Sequence, residues 1–124
     1  MKHLLLSFFI FLSFSFLVSV SFTEIIDAIK RGNAAEVSRF FDNTVEITFP
    51  GKSNSYSKSQ AELVLRDFFS KNPAKSFQVI HKSENEGSQY CIGNLETANG
   101  IFRTTIYMKQ RGDKQVVQEL RFER

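Results

Sequence analysis

An α+β architecture, with helices packed on one face of a curved, mostly antiparallel sheet, follows from three features of this 124-residue chain. Apolar residues recur at helical spacing from Ile25 to Phe41 and again from Ala61 to Phe69. Alternation with a period of two governs the chain from Ser76 onward. Turn residues punctuate that second half, so its strands should follow one another as an antiparallel meander. Helices gathered first and strands afterwards are the pattern of a helical layer on a sheet.

A leader precedes these elements. Met1, Lys2 and His3 are followed by an apolar run from Leu4 to Val20 broken only by serines, and Ser19 and Ser21 supply the small residues of a cleavage site. That is the signal-peptide pattern, which predicts a removed segment over 1–21 and one α+β domain over 22–124. An uncleaved anchor is the competing reading, because a spanning helix needs about 20 apolar residues and the run is nearly that long. The serines at 7, 13, 15 and 19 dilute it, and no cysteine near its end could accept a lipid. An exported product, periplasmic or secreted, without a stable membrane anchor is expected.

The first helix runs from a Thr23 cap through Ile25, Ile26 and Ile29, with Gly32 placed to stop it. Asn33 and Glu36 form a capping pair for a second helix that carries Val37, Phe40 and Phe41 on one face. Asp42 and Asn43 then turn the chain into a strand over Thr44 to Phe49, where Val45, Ile47 and Phe49 alternate with polar neighbours until Pro50-Gly51. Lys52 to Ser57 reads as a polar loop around Tyr56. Ser57 and Gln60 cap a third helix whose stripe of Ala61, Val64, Leu65, Phe68 and Phe69 faces the core, and Asn72-Pro73 closes it. Strands are predicted at 76–83, 89–97, 101–110 and 115–123. In the last two, Phe102, Thr104, Ile106 and Met108, then Val116, Gln118, Leu120 and Phe122, are expected to point at the helices. Arg111-Gly112-Asp113 reads as the turn between them rather than as an adhesion tripeptide.

The wording Ile29-Lys30-Arg31-Gly32-Asn33, Val37-Ser38-Arg39-Phe40-Phe41-Asp42, Val45-Glu46-Ile47-Thr48-Phe49-Pro50-Gly51 and Leu65-Arg66-Asp67-Phe68-Phe69, in this order of elements, resembles the nuclear transport factor 2-like superfamily, also called SnoaL-like or cystatin-like. It looks most like an uncharacterised branch of small secreted bacterial proteins. The resemblance implies a cone-shaped fold. It implies no single chemistry, since that scaffold hosts isomerases, dehydratases and purely binding or assembly domains.

Composition narrows the function. Without Lys2, 15 basic side chains stand against 13 acidic ones, spread along the chain, which makes no field for a polyanion and suggests no nucleic-acid partner. The one cysteine, Cys91, excludes an internal disulfide, so packing by nine phenylalanines beyond the leader must stabilise the domain. Cys91 suits a small buried mid-strand residue. His81 and Cys91 fall on opposite faces by parity and together make too few ligands for zinc, so neither metal nor cofactor is expected.

Superfamily enzymes typically set an Asp with a Tyr or His inside the cone, and the chain matches that poorly. Asp42 suits a turn, Asp67 falls on the polar stripe of its helix, and Glu96 shares a face with Tyr90, Ile92 and Asn94, so both are expected in solvent. His81 continues Phe77 and Val79 onto what should be the inward face, but one histidine lacks a positioned second group. Gln118 places an amide on an apolar face and needs a partner such as Thr104 or Tyr56, or a ligand. Tyr56, His81, Gln118, Phe68, Phe102 and Met108 are the pocket candidates. Ile80, Tyr90, Ile92, Ile101, Tyr107 and Val117 recur on the opposite faces, more apolar surface than a monomer needs. The expected role is a non-enzymatic domain binding a small apolar ligand, or a protein partner such as a second copy through the outer sheet face. The alternative is a small-molecule isomerase, dehydratase or hydrolase using His81 or Asp42 with Tyr56.

Overall fold

Two short helices lead into the sheet in the computed structural model, which describes residues 22–85 and 87–124. The leader expected over 1–21 lies outside the described residues. Helix α1 (Phe22–Lys30) buries Phe22, Ile25, Ile26, Ala28 and Ile29, and α2 (Ala34–Ser38) follows it at once. Asn33 caps α2, its side-chain oxygen accepting from the Glu36 backbone N–H at 3.1 Å. Strand β1 (Phe41–Phe49) and β2 (Lys52–Ser57) form a hairpin, α3 (Lys58–Lys71) crosses the sheet, and β3 (Ala74–Asn85), β4 (Ser88–Thr97), β5 (Gly100–Arg111) and β6 (Lys114–Glu123) complete it.

The six strands lie in the order β2-β1-β6-β5-β4-β3, and only the β1–β6 pair is parallel. The last four strands are the predicted meander, each longer by a residue or more than its sequence pattern suggested. The parallel contact brings the first strand back beside the last, so residues far apart in sequence meet where β1 and β6 adjoin.

Two elements depart from the sequence reading. Lys52 to Ser57 is an edge strand rather than a loop. Pro50-Gly51 turns the hairpin with Gly51 at φ +76°, and β2 keeps only Tyr56 half-buried, so it carries no apolar alternation to announce it. The second difference lies in β1, which begins at Phe41. Phe41 and Asp42 are therefore buried strand residues instead of a helix face and a turn.

The core lies between α3 and the sheet and is built around Phe68. Its ring stacks on Phe122 at 4.4 Å, meets Phe102 edge-on at 5.1 Å and lies 5.1 Å from Phe49. Leu65, Leu95, Ile106, Met108 and Leu120 are fully buried around it. Aromatic pairs of this geometry contribute about 0.5–1.5 kcal/mol beyond their area. Phenylalanine thus forms the centre of this core.

Candidate functional site

Bulges decide which side chains reach which surface. In β3 the pairs Val79↔Gly93 and His81↔Ile92 leave Ile80 as an extra residue, and that single insertion reverses the parity of everything beyond it. His81 is accordingly on the outer face, exposed, with Nε2 3.0 Å from the Tyr90 hydroxyl. The expectation that it continues Phe77 inward is corrected by this bulge. Val79 and Ile80 are themselves exposed.

A second insertion sits in β6, where Met108 pairs with Val117 and Tyr107 with Glu119 while Gln118 is left over. Val117 therefore points inward and is fully buried, and Val116 takes the outward position; the sequence reading had the two reversed. The ladder between β1 and β6 skips at the same level, from Phe41↔Val117 to Glu46↔Glu119. Asp42 fills that gap. It is 6% exposed, and it accepts from Asn43 N–H at 2.7 Å, from Gln118 Nε2 at 3.2 Å and from Arg111 Nε at 2.9 Å. Gln118 thus meets Asp42 rather than Thr104 or Tyr56, whose own bonds go to the Phe102 carbonyl and to Asn54. Three donors on one carboxylate seal a double irregularity in the sheet, which is the work of a structural lock.

The remaining pocket candidates are dispersed. Met108 is fully buried in the core. Tyr56 lies beside Asn54, Gln60, Leu63 and Val64 along a shallow groove of about 400 Å³. Phe68 and Phe102 do come together, as part of the floor of an open groove of about 430 Å³ that also takes in Phe49, Lys71 and Arg124. There the Arg124 guanidinium lies over the Phe102 ring at 4.7 Å. Asp67 is exposed and paired with Lys71 at 3.0 Å, and Glu96 is exposed and accepts from Ser76, both in solvent as expected. Cys91 is fully buried; desolvation pushes its thiol pKa up, and the Lys82 charge opposite draws it part of the way back.

The outer face of β4, β5 and β6 carries an aromatic and apolar patch. Tyr90 lies opposite Tyr107, Ile92 opposite Thr105 and Glu96 opposite Ile101, all on one face. Their neighbours on β6 are Val116, Glu119, Arg121 and Glu123. Arg121 reaches Glu123 at 3.0 Å and Glu119 at 3.5 Å. Ile101 is 58% exposed, whereas the two tyrosines and Ile92 are half-buried by their neighbours. With Arg103 and Lys109, the patch carries three cations and three anions around an aromatic centre.

Comparison with known proteins fits this geometry. The model of a family described as a domain of unknown function, DUF4783, matches residues 22–123. The chain belongs to the DUF4783 family. It is similar to the crystal structures of two family members: one from Bacteroides uniformis, at 31% identity and TM-score 0.80 over 82% of this chain and 94% of that one, and one from Bacteroides ovatus, at 31% identity and TM-score 0.78 over 82% and 92%. A nuclear transport factor 2-like protein of unknown function from Cytophaga hutchinsonii shares the fold at 11% identity, with TM-score 0.59 over 82% of this chain and 83% of that one. No curated protein matches. The fold is thus the nuclear transport factor 2-like α+β cone that the residue patterns suggested. Among the described residues no helix is long and apolar enough to cross a membrane, and no group of three or more His, Cys, Asp or Glu is placed to hold a metal ion.

Proposed function

We propose that this DUF4783 domain is an exported, non-catalytic binding module that works through the outer face of its sheet, where it pairs with a second copy of itself. The observation that carries the reading is the composition of that face: Tyr90, Ile92, Ile101 and Tyr107 side by side, ringed by Arg103, Lys109, Arg121, Glu96, Glu119 and Glu123. A two-fold axis through such a patch brings it against itself, so its apolar centre meets its own copy and its mixed charges face charges of both signs. Interfaces of this kind are aromatic at the core and polar at the rim. Inside, Phe49, Phe68, Phe102 and Phe122 pack against one another between α3 and the sheet, with no carboxylate or imidazole among them. The alternative, His81 or Asp42 acting with Tyr56, has less behind it: His81 meets Tyr90 on the outer face, Asp42 accepts from Gln118, Asn43 and Arg111, and the Tyr56 hydroxyl accepts from Asn54.

Sedimentation equilibrium of protein expressed from the full chain tests the reading. A mass near two chains at micromolar concentration is expected, with Tyr107→Glu and Ile101→Arg each returning it to one. A single-chain mass for the unaltered protein across the whole concentration range removes the proposal.

A further inference from the structure

A third concave surface adjoins the outer sheet face at Val116. It is a groove of about 640 Å³ bounded by α1, by the turn after α2 and by the start of β6. That volume is within the roughly 300–1,000 Å³ of small-molecule sites. Phe40 and Val116, both half-buried, provide its apolar surface. Everything else that lines it is polar, and the charges are sorted by element. The acids Glu24 and Asp27 come from one exposed face of α1, three residues apart and therefore adjacent. The cations Arg39 and Lys114 come from the α2–β1 turn and from the start of β6.

These four charges are not consumed by the fold. Arg31 and Glu36, also at the groove, pair with each other at 2.6 Å. Among the described residues, the charged groups of Glu24, Asp27, Arg39 and Lys114 take part in no ion pair and no hydrogen bond; Arg31 Nε donates at 3.3 Å to the Asp27 backbone carbonyl and not to its carboxylate. Gln115, half-buried, lines the same groove.

We infer that this groove binds a short zwitterionic peptide with free termini. The ligand's ammonium goes to the Glu24 and Asp27 carboxylates and its carboxylate to Arg39 and Lys114. An apolar side chain lies on Phe40 and Val116. A simple anion or cation uses only half of these groups and leaves the other charges unanswered. The inference stands apart from the pairing of the sheet faces, because none of these residues except Val116 belongs to that patch.

The test is a titration of the dipeptide Ala-Phe into isotopically labelled protein expressed from the full chain, followed by backbone amide shifts. Its N-acetylated and C-amidated forms are titrated in parallel. Free Ala-Phe should move the amides of Phe40, Gln115 and Val116 at millimolar concentration, and each capped form should bind about tenfold more weakly, the worth of one lost charge-assisted contact. Arg39→Glu with Lys114→Glu should abolish the shifts with the thermal midpoint unchanged, since both side chains are exposed. Glu24→Gln with Asp27→Asn, a nearly isosteric pair, should weaken free Ala-Phe and leave the N-acetyl form as it was. Equal binding of free and capped peptides, or no movement at Phe40, Gln115 and Val116, overturns the inference.

Discussion

Adding one methyl group at Gly93 should destabilise the domain more than most surface truncations, and the reason is spatial rather than conformational. Gly93 is not among the glycines with positive φ, so alanine could adopt its backbone angles. A Cβ built there, however, falls well inside contact distance of the Phe77 ring and 2.7 Å from the Gln78 carbonyl oxygen. Phe77 sits on the neighbouring strand, two residues before Val79, which pairs with Gly93, and its ring is only 6% exposed. The ring lies across the bare backbone of β4 and is held there by the surrounding core. Relief requires Phe77 to leave its rotamer or β3 to move away from β4, and the Gln78 carbonyl cannot retreat without loosening the ladder. Overpacking of this kind costs about 1–3 kcal/mol, and backbone involvement puts Gly93→Ala at the upper end.

For a domain of this size 1 kcal/mol corresponds to roughly 4–8 °C in the thermal midpoint, so a fall of about 10–20 °C is expected by calorimetry. The attribution to Phe77 is checked by a double-mutant cycle. With Phe77→Ala in place the ring is gone, and Gly93→Ala should then cost much less, giving a coupling energy of about 1 kcal/mol or more. A Gly93→Ala protein with an unchanged midpoint would refute the steric account, and a penalty equal in both backgrounds would move the clash from the Phe77 ring to the Gln78 carbonyl.

Other consequences follow from buried polar groups and caps. Asp42→Ala should lower stability by about 1–3 kcal/mol in urea melts, because the Gln118 amide is left without its acceptor; most of that loss comes from Gln118, since Arg111 is 60% exposed and water replaces its partner. Asp42→Asn, which keeps an acceptor of the same shape, should lose less. Cys91 should resist thiol reagents in the folded protein and react on unfolding. Because burial raises the Cys91 pKa above its ordinary 9.0, the fold retains the proton that the unfolded chain gives up. Its contribution is therefore complete below about pH 9 and is lost as the pH climbs from there toward the folded value, so urea midpoints of the parent should fall more steeply than those of Cys91→Ala between pH 8 and 10. Ser57→Ala removes the side chain that accepts from Gln60 N–H at 3.3 Å and should cost about 1 kcal/mol by the same assay.

The helices and the meander were legible because their residues answer to a single local rule. Asn33 with Glu36 and Ser57 with Gln60 are caps, and Ile25, Ile29, Leu65 and Phe68 recur at helical spacing toward one core. Cys91, Phe102 and Ile106 alternate as strands facing that core should. Strand β2 was not legible, since an edge strand exposed on both faces has no alternation to display. The parallel contact between β1 and β6 was equally hidden, because it joins segments about 75 residues apart and no local pattern encodes it. Gly93 could have been noticed: a glycine inside an alternating strand signals a close approach by a neighbouring group, and here the group is an aromatic ring.

Parity failed at two insertions, and those insertions also shape the surfaces. Ile80 in β3 turns His81 outward to Tyr90, enlarging the aromatic centre of the outer face. Gln118 in β6 carries its amide to Asp42 and exchanges Val117 for Val116, so Val117 joins the core while Val116 becomes the apolar side of the groove beside α1. A strand with uninterrupted alternation would have pointed His81 at the core and buried Val116, removing a member from each surface. A bulge costs one unpaired residue in the ladder and local twist. In β6 part of that cost is met by the Asp42 carboxylate. In β3 it leaves Val79 42% and Ile80 58% exposed on an edge strand. Exposed apolar residues on an edge invite pairing with another chain, and the kink at Ile80 together with Lys75 and Lys82 on the same strand opposes it. The chain thus keeps its edge unattractive and places its apolar surface on the sheet face, where a two-fold partner can close the contact instead of propagating it.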